Sequence, residues 1–277
     1  GLSAARSTGI MKATGDFIYF MDSDDVISYN CIEILYNAIM QTKSEWVDAN
    51  INVIGGSNRV LIPYKNELSV SNELISDFFK GKIHLSAWNK LIDRKWLLKE
   101  KIRFIEGLIY EDLLFVFTLC KHAKSGTFVN YFTYDYIIRK GSITTTISEQ
   151  SLKKQYDSIL YNLLTINKCK EDFDNIEIQT LVNKWLERYR FKSLVRLTTI
   201  DINNDSIIIY YYKKISSIRF EYNHFNIYEL LMKLPYSMFY IIFKILLFFT
   251  QIFPSSKKVI NNVAFTTLIV KYSTLFI

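Results

Sequence analysis

The chain has 277 residues, 49% of them apolar and 22% charged, with a formal net charge of +7. That length and apolar share argue against a disordered tail and allow one large domain, or one domain with an appendage. Three scattered cysteines without a CxxC, and three scattered histidines, argue against a disulfide framework or a histidine-rich zinc site and fit a reducing compartment.

Residues 2–14 carry helix-forming residues and stop at Gly15. Phe17-Ile18-Tyr19-Phe20-Met21 is a short aromatic run bounded by acids. It predicts a strand buried on both faces, as in a parallel α/β sheet. Residues 28–42 predict an amphipathic helix with Ile32, Leu35 and Ile39 on one stripe. Residues 46–53 read as a strand, and the turn signal Gly55-Gly56-Ser57-Asn58 suggests a hairpin with residues 59–63. Helices are expected over 70–80, 93–101 and 110–122, a strand over 127–136 and a loop over 139–144. Strands alternating with helices suit βαβ-type organisation. Beyond Glu149 the pattern turns helical, over 149–170 and 176–199, and becomes mixed over 202–227.

From Leu230 the chain is strongly apolar. No acidic residue follows Glu229, while Lys233, Lys244, Lys257, Lys258 and Lys271 do. A basic, apolar segment points to a membrane surface before nucleic acid. Ser237–Phe253 is short of the roughly 20 residues that span a bilayer, and Lys244 at its middle would be costly there. Lying in the interface is the cheaper arrangement; packing on the protein itself is the alternative.

Asp22-Ser23-Asp24-Asp25 places three carboxylates just past the first strand, where α/β sheets bind ligands. Crowded carboxylates repel, and Mg²⁺ or Mn²⁺ offsets that while favouring carboxylate and phosphate oxygens. A solvated loop in which Asp25 or Ser28 caps the next helix would also explain them. So would a phosphatase of the haloacid-dehalogenase type, with an apolar strand before D-x-D-x-V, Asp22 as nucleophile and Asp24 as acid/base.

The surrounding residues favour another reading. Gly1-Leu2-Ser3-Ala4-Ala5-Arg6-Ser7-Thr8-Gly9-Ile10, then Ala13-Thr14-Gly15-Asp16 and Asp22-Ser23-Asp24-Asp25, closely resemble the family 2 glycosyltransferases. Ser7 stands where that family usually has Asn. Trp88-Asn89-Lys90-Leu91, Glu111-Asp112-Leu113-Leu114-Phe115 and Tyr136 to Ile143 resemble its later motifs, so the likeness extends to about residue 147. It implies a GT-A fold and a single displacement with inversion at the sugar's anomeric carbon. The donor would be a nucleotide-diphosphate sugar, and the acceptor a hydroxyl of a glycan or lipid-linked molecule.

By the same resemblance Asp112 is the general base, with Glu111 supporting it or touching the acceptor. Asp24 ligates Mg²⁺ or Mn²⁺, and Asp22 holds the ribose or assists the metal. Ser23, Arg6, Arg139 and Ser142 lie at the donor, and Trp88 offers its face to a sugar. Without the resemblance, acids at Glu111-Asp112 suit a helix's first turn and need no catalysis.

The expected layout is a truncated GT-A domain over 1–148, a helical appendage over 149–229 and an apolar, basic membrane-associating region over 230–277. The nucleotide-binding βαβ units of the fold would precede Gly1, so these residues alone are expected to be inactive. The implied setting is bacterial polysaccharide assembly at the cytoplasmic face of the membrane.

Overall fold

The structure, a computed structural model, describes residues 1–55, 63–138, 148–200, 204–220 and 227–252. The expected partner of the residue 46–53 hairpin and the loop carrying Arg139 and Ser142 fall outside them almost entirely. The chain divides into two compact units, Gly1–Arg139 and Lys140–Ile277.

The first unit is a helix/sheet/helix sandwich. After α1 (Leu2–Lys12) come β1 (Phe17–Tyr19), β2 (Val26–Ile27), α2 (Cys31–Thr42), β3 (Trp46–Ile54) and β4 (Leu68–Ser71). Then follow α3 (Leu74–Phe79), β5 (Lys90–Asp93), α4 (Arg94–Lys99), α5 (Glu111–His122) and β6 (Gly126–Ile137). The strands form one sheet in the order β1-β5-β3-β6-β2, with β4 also on β6. Only β3 and β6 are parallel; every other described pairing is antiparallel.

The period of β3 explains the layers. Val47 and Ala49 point to one face, where they meet Leu91, Val129 and the inner stripe of α2: Cys31, Leu35, Ala38 and Ile39. Trp46 and Asp48 point to the other, which α3 and α5 cover. Trp46 packs edge-on against Phe128 at 5.5 Å. Gly126 is needed there: a Cβ at that position would come within 2.9 Å of both Trp46 and Leu74.

Two expectations need correcting. The run 17–21 is not a strand buried on both faces: β1 has three residues, pairs with β5 alone and leaves Phe17 and Tyr19 half-buried. It is an edge strand among the described residues, so its outer side lacks a covering neighbour. Residues 70–80 are not one helix either. Leu68–Ser71 joins β6 as a strand, with Ser69 and Ser71 alternating with apolar residues, and the helix begins at Leu74.

The second unit is helical: α6 (Glu149–Cys169), α7 (Ile176–Leu197), α8 (Asp205–Ser216), α9 (Ile227–Met232) and α10 (Tyr236–Ile252), with one 3-10 turn at Lys170–Asp172. Ser148 and Ser151 cap α6 reciprocally, and Asn175 caps α7. The core gathers Tyr156, Leu163, Leu186, Phe191, Leu194, Phe239 and Phe243. No helix among the described residues is long and apolar enough to cross a membrane.

Candidate active site

α1 buries one stripe, Ser3, Arg6 and Ile10. Ser3 and Ser7 donate to the carbonyls of Leu108 and Phe104, each at 3.3 Å, which seats α1 against the approach to α5. Ser7 therefore serves the fold here. Arg6 is only 8% exposed, and a buried guanidinium must be paired. It meets three carboxylates: Asp22 at 2.6 Å, Asp112 at 2.5 Å and Glu111 at 3.1 Å. Its plane also lies over Phe104, 5.4 Å from the ring centre.

Arg6 meets Glu111 and Asp112 across 105 and 106 residues and Asp22 across 16, and the charges of the four groups do not cancel. Burial alone would lower the Arg6 pKa, but Asp112, Asp22 and Glu111 outweigh it and hold the guanidinium above its ordinary value. Burial pushes Asp112 above the usual carboxylate range; Arg6 and the backbone of Ala87 pull the other way, and the Asp22 charge adds to the rise. Glu111 is raised as well, by burial and then by Asp112 beside it. α5 starts at this pair, and Tyr110 before it adopts φ 66°, a left-handed conformation uncommon for an aromatic residue. Such strain persists where its surroundings fix it and clusters at functional sites.

The acidic motif splits into distinct tasks. Asp25 is buried and faces inward, accepting from the Tyr134 hydroxyl at 2.7 Å and the Ile137 N–H at 2.8 Å. The same hydroxyl accepts from the Asp22 N–H at 3.1 Å. Tyr134 therefore ties the acidic loop to β6. Neither reading of Asp25 as a third metal-facing carboxylate nor as a helix cap holds: α2 begins after Asn30. Ser23 and Asp24 are exposed.

No group of three or more metal-ligating side chains occurs among the described residues. The donor set is Asp24, exposed, and Asp22, engaged with Arg6. That fits a hard cation carried largely by phosphate and water oxygens, and does not fit a resident all-protein cage.

The Trp88-Asn89-Lys90 segment supplies the frame. Asn89 takes φ 63° and is fully buried. Its amide donates to the Ala49 carbonyl at 3.0 Å and accepts from Thr133 at 2.8 Å and Tyr19 at 3.2 Å. The Lys90 ammonium, also fully buried, reaches Asp48 at 2.9 Å and the carbonyls of His84 and Ser86 at 3.0 and 2.8 Å. Tyr64 donates to the same Asp48 oxygen at 2.7 Å. Burial would raise the Asp48 pKa, yet Lys90 and His84 hold it below the usual range. Trp88 is 5% exposed and stacks on Tyr134 at 4.3 Å and on Tyr136 at 5.5 Å.

Among the residues expected at the site, the structure gathers Arg6, Asp22, Glu111 and Asp112, with Ala87 beside them. Ser23 and Asp24 lie on the open side of the same loop. Trp88 stands in an aromatic stack with little free face. Arg139 and Ser142 lie outside the described residues. Sequence reasoning missed Asp25's inward role, Tyr134 and the Asp48–Lys90 pair. An acid between Val47 and Ala49 in an apolar strand is the signal that could have found Asp48, since a charge there needs a buried partner.

Residues 1–99 match the model of glycosyl transferase family 2. Over 234 residues the chain is 28% identical to the cholesterol galactosyltransferase of Borreliella burgdorferi, covering 79% of this chain and 64% of that protein. It is 28% identical over 171 residues to glycosyltransferase GlyA of Streptococcus pneumoniae, covering 57% of this chain and 24% of that one. Residues 1–349 of TarS from S. aureus, solved with UDP-GlcNAc, superpose with a TM-score of 0.58 at 18% identity. The match covers 76% of this chain and 60% of that one, and it is a likeness of fold. The chain spans less than two thirds of the length of these relatives. The family match, the relatives and the mixed α/β sheet with its helical second unit agree: residues 1–99 match glycosyl transferase family 2, and the chain has a GT-A-type fold.

Proposed function

We propose that the protein transfers a sugar, with inversion, from a nucleotide-diphosphate sugar to a hydroxyl of a glycan or lipid-linked acceptor. The observation that carries this is the convergence of Asp22, Glu111 and Asp112 on the one buried guanidinium of Arg6. The fold neighbour solved with UDP-GlcNAc supports a nucleotide-sugar donor.

Asp112 takes the proton of the acceptor hydroxyl as its oxygen attacks the anomeric carbon. The bond from that carbon to the diphosphate breaks, and the diphosphate leaves with the electron pair. A positioned base contributes roughly 10²–10⁴-fold, about 3–5 kcal/mol of barrier. A carboxylate held above its ordinary pKa is the stronger base once ionised. Arg6 and the Ala87 backbone hold Asp112 in place, and Glu111 sets the local charge. Asp22, Ser23 and Asp24 serve the donor, and Arg139 and Ser142 bind its phosphates. Mg²⁺ or Mn²⁺ held with Asp24 and Asp22 would offset charge on the departing nucleoside diphosphate. The half-buried Tyr136, with the buried Trp88 stacked on it, offers an apolar wall on the acceptor side.

Donor binding also draws on residues outside these 277, a reading that rests on the outer edge of β1 and on the relatives' greater length. The protein works peripherally on the cytoplasmic face of the cell membrane, in polysaccharide assembly. A phosphatase is not favoured: Asp22 is engaged with Arg6, and the Borreliella burgdorferi and Streptococcus pneumoniae relatives named above are transferases.

The test is a panel of nucleotide-diphosphate sugars offered to the whole protein with Mg²⁺ or Mn²⁺. Release of nucleoside diphosphate and a product of inverted anomeric configuration are expected. Turnover of a generic phosphate ester, abolished by Asp22→Asn, would replace this function with a phosphatase.

A further inference from the structure

α10 is apolar on two sides, and only one of them is covered. Phe239 and Phe243 are fully buried, packed against Phe191 of α7 at 6.1 and 5.5 Å, and Phe239 lies 5.2 Å from Tyr212 of α8. Met238, Ile241 and Ile245 are 50%, 55% and 49% exposed. Their i, i+3, i+7 spacing puts them on one line of the helix, which at about 100° per residue runs nearly opposite the buried phenylalanines. Three large apolar side chains in a row towards water are not scattered surface residues.

The flank of this line has its own chemistry. Lys244 and Tyr240 are exposed, with the ammonium 5.3 Å from the ring centre. Lys244 sits roughly 60° round the helix from Ile241. A lysine and an aromatic ring beside an apolar stripe match the chemistry of a bilayer's headgroup level. Most of the charge around it is positive, with Asp205 acting on Tyr236 as an exception. Lys233 precedes α10, α8 ends on exposed Lys213 and Lys214, and no acidic residue follows Glu229 in the sequence. Glu229 itself acts electrostatically on Arg190 and Glu187 of α7.

We propose that α10 lies flat in the surface of an anionic bilayer, with Met238, Ile241 and Ile245 towards the acyl chains and Lys244 at the lipid phosphates. This rests on the peripheral membrane reading above and names the surface responsible. A second copy packed on the same face would bring lysine against lysine, and like charges oppose such contacts. The helix does not meet the length and apolarity needed to cross.

The full chain is sedimented with vesicles of phosphatidylcholine, alone or mixed with phosphatidylglycerol. The wild type is expected to bind the mixed vesicles and bind the neutral ones less. Met238→Ser/Ile241→Ser/Ile245→Ser should lower binding roughly tenfold or more, and Lys244→Glu should remove most of the anionic preference. Both should keep the wild-type circular dichroism and melting, because all four positions are exposed. A triple variant that binds like the wild type overturns α10 as the surface while leaving membrane association standing. Equal binding to both vesicle types overturns the anionic requirement. A wild-type dimer that the triple variant dissolves, with no sedimentation, assigns the face to a second copy and overturns the proposal. Asp112→Asn is expected to sediment like the wild type, so the catalytic reading and this one can fail separately.

Discussion

Arg6 shapes the site before any substrate arrives. It is the cation that Asp22, Glu111 and Asp112 share. Arg6→Met leaves the buried Glu111 and the half-buried Asp22 and Asp112 facing one another without their cation; breaking a fully buried pairing typically costs about 3–5 kcal/mol, and partial exposure lowers that. The sign with pH follows from the direction of the shifts. Glu111 and Asp112 hold protons more tightly in the folded state than unfolded. Their contribution to stability is therefore present below the ordinary carboxylate pKa of about 4 and is lost as pH rises through the folded values. Removing Arg6 raises those values further. Melting temperatures recorded across pH should show the variant losing more stability than the wild type between acid and neutral. A variant curve parallel to the wild type's would deny Arg6 this role. In activity, the acidic limb of the wild-type kcat/KM profile should lie above the ordinary carboxylate range, with transfer rising as pH increases. Arg6, Asp22, Glu111 and Asp112 were legible because their motifs are contiguous. Asp25 was not, because its partners, Tyr134 and the Ile137 N–H, lie 109 and 112 residues away.

Among the elements, the segment from His84 to Lys90 is the one whose geometry reaches furthest. Lys90 holds two of its carbonyls, those of His84 and Ser86, and the backbone of Ala87 just after them meets Asp112. Lys90→Met leaves Asp48 buried without its ammonium and should cost about 3–5 kcal/mol. Lys90→Met with Asp48→Asn removes both charges and should recover part of that loss. Denaturant unfolding of the two variants decides it; equal stability of the single variant and the wild type would contradict the ion pair's importance. The Asp48 pKa is lowered on folding, so its contribution is present above about 4 and is lost as pH falls through the folded value. Local pattern and composition revealed α2, β3, α5, β6, α6 and α7 to within a few residues. It failed at residues 70–80, where β4's four residues are fixed by pairing with β6. A partner strand brought from elsewhere in the chain leaves no local period.

Across the whole molecule, the acidic loop follows a strand that pairs on one side only among the described residues. On the proposed function, the described residues form only part of the donor site. Calorimetry of this chain with nucleotide-diphosphate sugars and Mn²⁺ should give weak binding or none, and tight metal-dependent binding would overturn that view. The family and fold class were legible from the motifs. The arrangement of the aromatic stack, the open strand edge and the one-sided packing of α10 were not, since each depends on what the fold brings alongside. The most direct test of the whole account concerns Asp112. Sugar transfer by Asp112→Asn in the whole protein, measured beside the wild type at matched fold by circular dichroism, should fall roughly 10²–10⁴-fold. Undiminished transfer by a folded Asp112→Asn would remove it as the base and with it the chemistry assigned to this site.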